Sequence, residues 1–245
     1  MAKTRADVAP ERLVALNAGT EAARNLVEFL AIDQLALLRA VRPGVPTAAI
    51  EAMAGEGVTR RMAATGALLL RDGGLAALPG LAAHPSDTVR GWAAYMVGAA
   101  ALDLAARFAA IRPLADDANS GVREWAWLAL RPAILAETGR AIDLLAPWAH
   151  APSANLRRFA SEATRPRGVW SAHLPLLRQA PERGEPILTP LRADPARYVQ
   201  DSVANWINDA AKDRPDWARA LCARWLRESP GAATARICKR GLRSI

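Results

Sequence analysis

Cysteine, histidine and aromatic residues are scarce in this chain of 245 residues. Two cysteines (Cys222, Cys238) and three histidines (His84, His150, His173) are scattered with no CxxC spacing. That argues against a metal site and against a disulfide framework. Aromatics are only 5% of the chain, and eight of the thirteen are Trp. Long apolar runs are missing as well. The best candidate, residues 92–111, is interrupted by Asp103 and Arg107, so no bilayer-spanning helix is expected. The opening MAKTRADVAPER has no apolar signal core. The expectation is a soluble cytoplasmic protein with no metal, no cofactor and no membrane partner.

What is abundant is Ala, Leu and Arg. Hydrophobic residues reach 51%, and the Ala and Leu that dominate them favour helix over strand. The net charge is +8 and the pI is near 10.6, which suits an anionic partner, nucleic acid first. The charge is unevenly placed. Residues 1–139 hold 14 basic and 14 acidic side chains, and residues 140–245 hold 18 and 10. The whole excess lies in the C-terminal part, as for a located binding face.

The chain also repeats itself. HPSDTVRGWAAYMVG (84–98), DDANSGVREWAWLAL (116–130) and HAPSANLRRFASEAT (150–164) share a polar turn, Val or Leu, Arg, any residue, an aromatic, then Ala. Arg90, Arg123 and Arg157 stand 33 and 34 residues apart. RADPARYVQDSVANWIND (192–209) is a looser copy, and GEGVTRRMAATGALLL (55–70) a fainter one. Ser86 and Asp87, Asn119 and Ser120, and Ser153 and Asn155 are helix-start residues. The period predicts an all-α protein, an α-solenoid of about five to six paired-helix repeats of the HEAT type. A single domain over 1–245 is expected, with N-terminal helices over 1–80 and repeats carrying the active face over 81–245.

Aligned on the Val/Leu position, offsets 2, 6 and 9 share one side of a helix. They collect Glu124, Arg158, Glu162, Arg165, Asp201, Asn205 and Asn208, while the aromatic and Ala point into the core. In a solenoid such a strip lies on the concave surface, where extended partners bind. The same residues also fit ordinary solvated charge, and Arg158 with Glu162 a surface i,i+4 pair. Trp92, Trp125 and Trp148 fall at buried positions. Trp170 follows RPRGV, which breaks helix periodicity, and is expected in a loop.

Three blocks carry a resemblance. ERLVALNAGTEAARNLVEFLAID (11–33), LRRFASEATRPRGVW (156–170) and YVQDSVANWINDAAKDRPD (198–216) resemble the HEAT-like-repeat DNA alkylation repair glycosylases, above all the AlkC branch. The second and third blocks are the more specific. The family usually has Leu-Pro before the central Trp, where this chain has Gly168 and Val169. Near the C-terminus it tends to have His-Ala-Leu-Arg, where this chain has Arg240, Gly241, Leu242 and Arg243. Some members carry a β-sandwich domain after the repeats, and none is expected here.

The resemblance implies excision of alkylated bases such as 3-methyladenine from double-stranded DNA on a concave, basic face. Alkylation at a purine ring nitrogen makes the base a cationic leaving group, and bond breaking builds oxocarbenium character on the deoxyribose. A carboxylate aimed at that sugar, and a water, are the main needs. Glu162 is the first candidate, Glu124 and Asp209 are further carboxylates, and Trp170 offers a π face to a cation. Arg157, Arg158, Arg165 and Arg167 would hold phosphates and keep the Glu162 pKa low. Asn205, Asn208 and Lys212 would touch the backbone without reading sequence. No lysine is expected beside the carboxylates, so a monofunctional glycosylase is expected. An open solenoid needs no second copy, and a monomer is expected. Two other readings stay open: a repeat protein that binds DNA without catalysis, and a protein-binding scaffold.

Overall fold

The computed structural model describes residues 4–168 and 170–245; Val169, one of the two departures before the central Trp, lies outside them. Every regular element among the described residues is helical. In chain order the α-helices are α1 (Pro10–Ala18), α2 (Leu26–Ala31), α3 (Gln34–Val41), α4 (Ala48–Glu51), α5 (Val58–Gly73), α6 (Leu78–Ala82), α7 (Asp87–Ala99) and α8 (Leu104–Ala115). There follow α9 (Ser120–Ala136), α10 (Thr138–Leu145), α11 (Ala154–Ala163), α12 (Pro175–Gln179), α13 (Glu185–Leu188), α14 (Arg197–Ala211), α15 (Pro215–Glu228) and α16 (Ala232–Gly241). Among the described residues, none is long and apolar enough to cross a membrane.

The repeat motif has a physical basis in one arginine. Arg90 Nη1 donates to the carbonyls of His84 and Pro85 at 2.7 and 2.9 Å. Arg123 Nη1 donates to Asp117 and Ala118 at 2.6 and 2.9 Å. Arg157 Nη1 donates to Ala151 and Pro152 at 2.9 and 2.8 Å. Each arginine folds back on the carbonyls six and five residues before it, so each closes the turn that opens its own helix. Arg90 and Arg157 also reach an aspartate of the following repeat turn, Asp117 at 2.8 Å and Asp194 at 2.6 Å. In the looser copy Gln200 takes the arginine's place, and its Nε2 donates to the Asp194 carbonyl, again six residues back, at 2.7 Å.

The helices begin where their caps stand. Asn25, Asp33, Asp103 and Ser153 each accept an orphan N–H of the first turn of α2, α3, α8 and α11. Asn119 accepts the Gly121 amide at 2.7 Å at the head of α9.

The chain forms two compact units. One holds the described residues up to Leu102 together with Asp117–Ala129. Here α7 packs on α5 and α6. Gly66 in α5 makes this possible, because a Cβ there would stand 2.5 Å from Tyr95 Cβ and 2.8 Å from the Tyr95 backbone. The core of this unit stacks Trp125 against Phe29 and Tyr95, with ring centroids 5.1 and 6.1 Å apart. The Asp87 carboxylate, buried at the head of α7, accepts the Ala23 amide at 3.0 Å and so fastens the N-terminal block to the first clear repeat.

The other unit holds Asp103–Asp116 and Leu130–Ile245. Here α14 packs against α11, α15 and α16. Trp148 lies between Phe108 and Phe159, with centroids 6.1 and 5.2 Å away. Trp92, Trp125 and Trp148 are buried, as the repeat predicts.

Candidate active site

The second unit brings Arg158, Glu162, Arg165, Asp209 and Lys212 together. Glu162 lies in the last turn of α11 and Arg165 three residues on, just past the helix end, and Asp209 projects from α14, which packs on α11. Arg165 joins the two carboxylates. Its Nη1 donates to Glu162 Oε1 at 2.7 Å, and its Nε and Nη2 both lie 2.9 Å from Asp209 Oδ2. The other Glu162 oxygen accepts the Ser202 hydroxyl at 2.7 Å and has Arg158 Nη2 at 3.5 Å. Arg158 also stacks over the Tyr198 ring, 4.8 Å from its centroid.

Both carboxylates are only 4% exposed, yet their surroundings act on them in opposite directions. Burial pushes the Glu162 carboxyl up, but Arg158, Arg165 and the Ser202 hydroxyl more than offset it and leave its pKa below the ordinary value. At Asp209 burial wins over Arg165 and Lys212, Glu162 adds repulsion, and the pKa is raised. A neighbouring pair of carboxyls with separated pKa values is the pattern expected where acid and base roles divide.

The loop after α11 carries the arginines and Trp170. Trp170 is 61% exposed and sits at φ 58°, a left-handed backbone conformation rare for so bulky a residue. It is solvent-facing and lies in a loop, as expected from the broken periodicity. Arg167 donates from Nε and Nη2 to Asp213 at 3.2 and 2.8 Å, and Arg178 does the same at 2.9 Å twice. Their hydrogen bonds, Arg178 first, hold the Asp213 carboxyl well below the usual carboxylate range.

Several expectations change. The strip at offsets 2, 6 and 9 is not an open polar surface in this unit: Arg158, Glu162, Arg165 and Asn208 are buried. For Arg158, Glu162 and Arg165 the cause is the packing of α14 on α11, which sets Asp209 and Ser202 beside them; Asn208, on α14 itself, is held against the end of α16. Arg157 has its guanidinium in the turn and on Asp194, both Nε and Nη2 serving that carboxylate. It is a repeat-closing residue rather than a free phosphate ligand. Asn208 spends both amide hydrogens within the chain, on the Gly241 carbonyl at 3.3 Å and Ser244 Oγ at 2.9 Å. Asn205 accepts from Arg243 Nη2 at 3.0 Å. Both asparagines therefore tether the segment that follows α16. The expected absence of a lysine is also overturned. Lys212 Nζ stands 3.7 Å from Asp209 Oδ1, because i and i+3 share a helix face.

Glu124 belongs to the first unit, on α9, where its Oε2 accepts Trp127 Nε1 at 2.7 Å. Two residues of the site were missed in the sequence. Ser202 occupies the place where the three clear repeats have Trp92, Trp125 and Phe159, and that break in the register was a visible signal. Arg131 stands at offset 9, as Arg165 does in its own repeat, but it was not assigned a role. It is 2% exposed and donates to three main-chain carbonyls, those of Ala163, Arg165 and Ala172, at 2.7, 2.7 and 2.8 Å. Burial, then the Arg165 charge, lowers its pKa to about 10, so it stays charged at neutral pH.

The fold and this cluster define an all-α protein of HEAT-like helical repeats with a buried carboxylate–arginine site. Comparison with solved structures finds the same helical fold in other proteins. The chain is similar to the Pseudomonas fluorescens alkylpurine DNA glycosylase AlkC, solved bound to DNA containing an abasic site analog. The TM-score is 0.70 at 27% identity, over 100% of this chain and 65% of that one. It shares its fold with smu.31 of Streptococcus mutans UA159, at TM-score 0.57 and 18% identity, over 78% of this chain and 87% of that one. Among curated proteins, the uncharacterized protein YhaZ of Bacillus subtilis (strain 168) is 36% identical over 102 residues, 42% of this chain and 29% of that protein. The match thus spans less than two thirds of the length of AlkC and under a third of YhaZ. No family model matches the chain.

Proposed function

We propose that this protein is a DNA glycosylase that removes cationic N-alkylated bases, of the 3-methyladenine type, by hydrolysing the N-glycosidic bond in duplex DNA. The observation that carries this reading is the pair of buried carboxylates, Glu162 and Asp209, bridged by Arg165 and flanked by the loop that presents Trp170. The likeness to a glycosylase solved on abasic DNA supports it.

In the reaction, the bond between C1′ and the base nitrogen breaks and its electron pair leaves with the base, neutralising the base's positive charge. The cationic character moves to the deoxyribose. Glu162, held ionised, faces that charge, and electrostatic stabilisation of this kind is the main catalytic need. A water adds to C1′ and gives its proton to Asp209, whose raised pKa suits a base. Glu124 is a further carboxylate in this reading. Trp170 offers its π face to the cation, worth roughly 0.5–2 kcal/mol.

In the free protein the carboxylates are occupied by arginine donors. A DNA phosphate competes for the same donors on Arg158 and Arg165 through charge-assisted bonds. Each donor it takes frees a carboxylate lone pair for the sugar. Arg167 and the half-exposed Lys212 add contacts that position the backbone. Lys212 is 45% exposed and paired with Asp209. Schiff-base lysines sit in desolvated apolar pockets or beside another cation, so the reading remains a monofunctional enzyme. It takes the chain as one repeat domain over 1–245, acting as a cytoplasmic monomer on a concave, basic face without metal or cofactor.

The test is incubation with duplex DNA containing 3-methyladenine, followed by chromatography of the released base. Release well above the spontaneous rate is expected. Tight DNA binding with release at the spontaneous rate would instead identify a non-catalytic repeat protein, and no DNA binding would favour a protein-binding scaffold.

A further inference from the structure

We infer that Arg131 is the positioning residue of the site: it pins both ends of the segment 163–172, which carries Arg165 and Trp170. Its guanidinium spans three carbonyls. Nη1 takes Ala163 at the end of α11, Nη2 takes Arg165 two residues on, and Nε takes Ala172 just beyond Trp170. The first is among the terminal carbonyls that a helix leaves without an internal partner. A further bond closes the segment, the Leu174 amide to the Pro166 carbonyl at 3.0 Å.

The use of charge here is unusual. A buried guanidinium normally pairs with a carboxylate. All three hydrogen bonds of Arg131 go instead to main-chain oxygens, although Glu162 and Asp209 are near enough to raise its pKa. The planar fork is what the geometry exploits, since five fixed N–H groups reach carbonyls nine residues apart in the chain. A lysine has a single nitrogen and cannot span them. Held this way, the loop keeps Arg165 between the two carboxylates and keeps Trp170 solvent-facing in its left-handed conformation. Arg131 touches neither substrate nor reacting atoms in this scheme. It acts through Arg165 and Trp170.

The catalytic part of the inference rests on the glycosylase reading, and the loop part does not. Arg131→Lys retains the charge and most of the volume. In protein labelled with 5-fluorotryptophan, the Trp170 resonance, assigned with Trp170→Phe, is expected to shift or broaden while the buried tryptophan resonances stay in place. The single-turnover excision rate, measured at saturating protein, is expected to fall by about tenfold or more. An unmoved Trp170 resonance with an unchanged rate overturns the inference. If the wild type excises nothing, the glycosylase reading fails and the fluorine spectrum still decides the loop role. If Arg131→Lys does not fold, hydrogen exchange on the wild type decides it. The Leu174 amide should be protected by about a hundredfold or more, and exchange at the free-peptide rate overturns the inference.

Discussion

At the scale of single residues, charge placement explains more than charge number. Glu162 sits within reach of two arginines and one hydroxyl, and Asp209 within reach of one arginine and one lysine. Glu162→Gln leaves Arg158 and Arg165 buried with half their compensation, and should cost roughly 3 kcal/mol of stability. Denaturant unfolding checks this. The sign of the pH dependence follows from the lowered pKa of Glu162. Its contribution to stability is complete above the ordinary carboxyl value and is lost as pH falls through the folded value. Asp209, with its pKa raised, acts the other way, favouring the fold most where it is protonated. Unfolding measured between about pH 3 and 6 should therefore show a flatter acid decline in Glu162→Gln than in the wild type. An equally steep decline would place the stabilising carboxylate elsewhere.

At the scale of helices and turns, the recurring arginine is a structural rivet. Arg157→Ala strips Asp194, a buried carboxylate, of two charge-assisted bonds and opens the turn before α11. A loss of about 2–3 kcal/mol is expected, with no change in the salt dependence of DNA binding. Lys212→Ala should do the reverse, leaving stability nearly intact and reducing the salt slope by about 0.9 for one lost phosphate contact. Titration of duplex DNA over a salt series separates the two. The sequence showed the arginine, its spacing and the helix starts, because a repeat prints the same local chemistry several times. It could not show what the arginine bonds, since the partner carbonyls carry no side-chain signature. Nor could it show that the strip in the second unit is buried. The offsets define a face of a helix, and only the packing of α14 on α11 decides what covers that face. Gly66 makes the same point for the first unit. Gly66→Ala would drive a methyl into the Tyr95 backbone and should cost about 1–3 kcal/mol, although nothing local in the sequence marks that glycine.

At the scale of the whole molecule, the all-α architecture and the likeness to alkylpurine glycosylases were legible in three sequence blocks and one period. The closeness of Glu162, Arg165 and Trp170 along the chain was legible too, because they share one short segment. Ser202 shows only as a break in the repeat register, and neither its contact nor that of Arg131 was legible, since each reaches that segment from another repeat, 40 and 32 residues away in sequence. The account rests on one claim, that the negative charge of Glu162 drives cleavage of the glycosidic bond. The most direct measurement is the single-turnover excision rate on 3-methyladenine DNA for wild type and Glu162→Gln, each at saturating protein. Excision by the wild type, with a loss of roughly a hundredfold or more in the variant and DNA binding retained, is the predicted result. An unchanged rate in Glu162→Gln would contradict it.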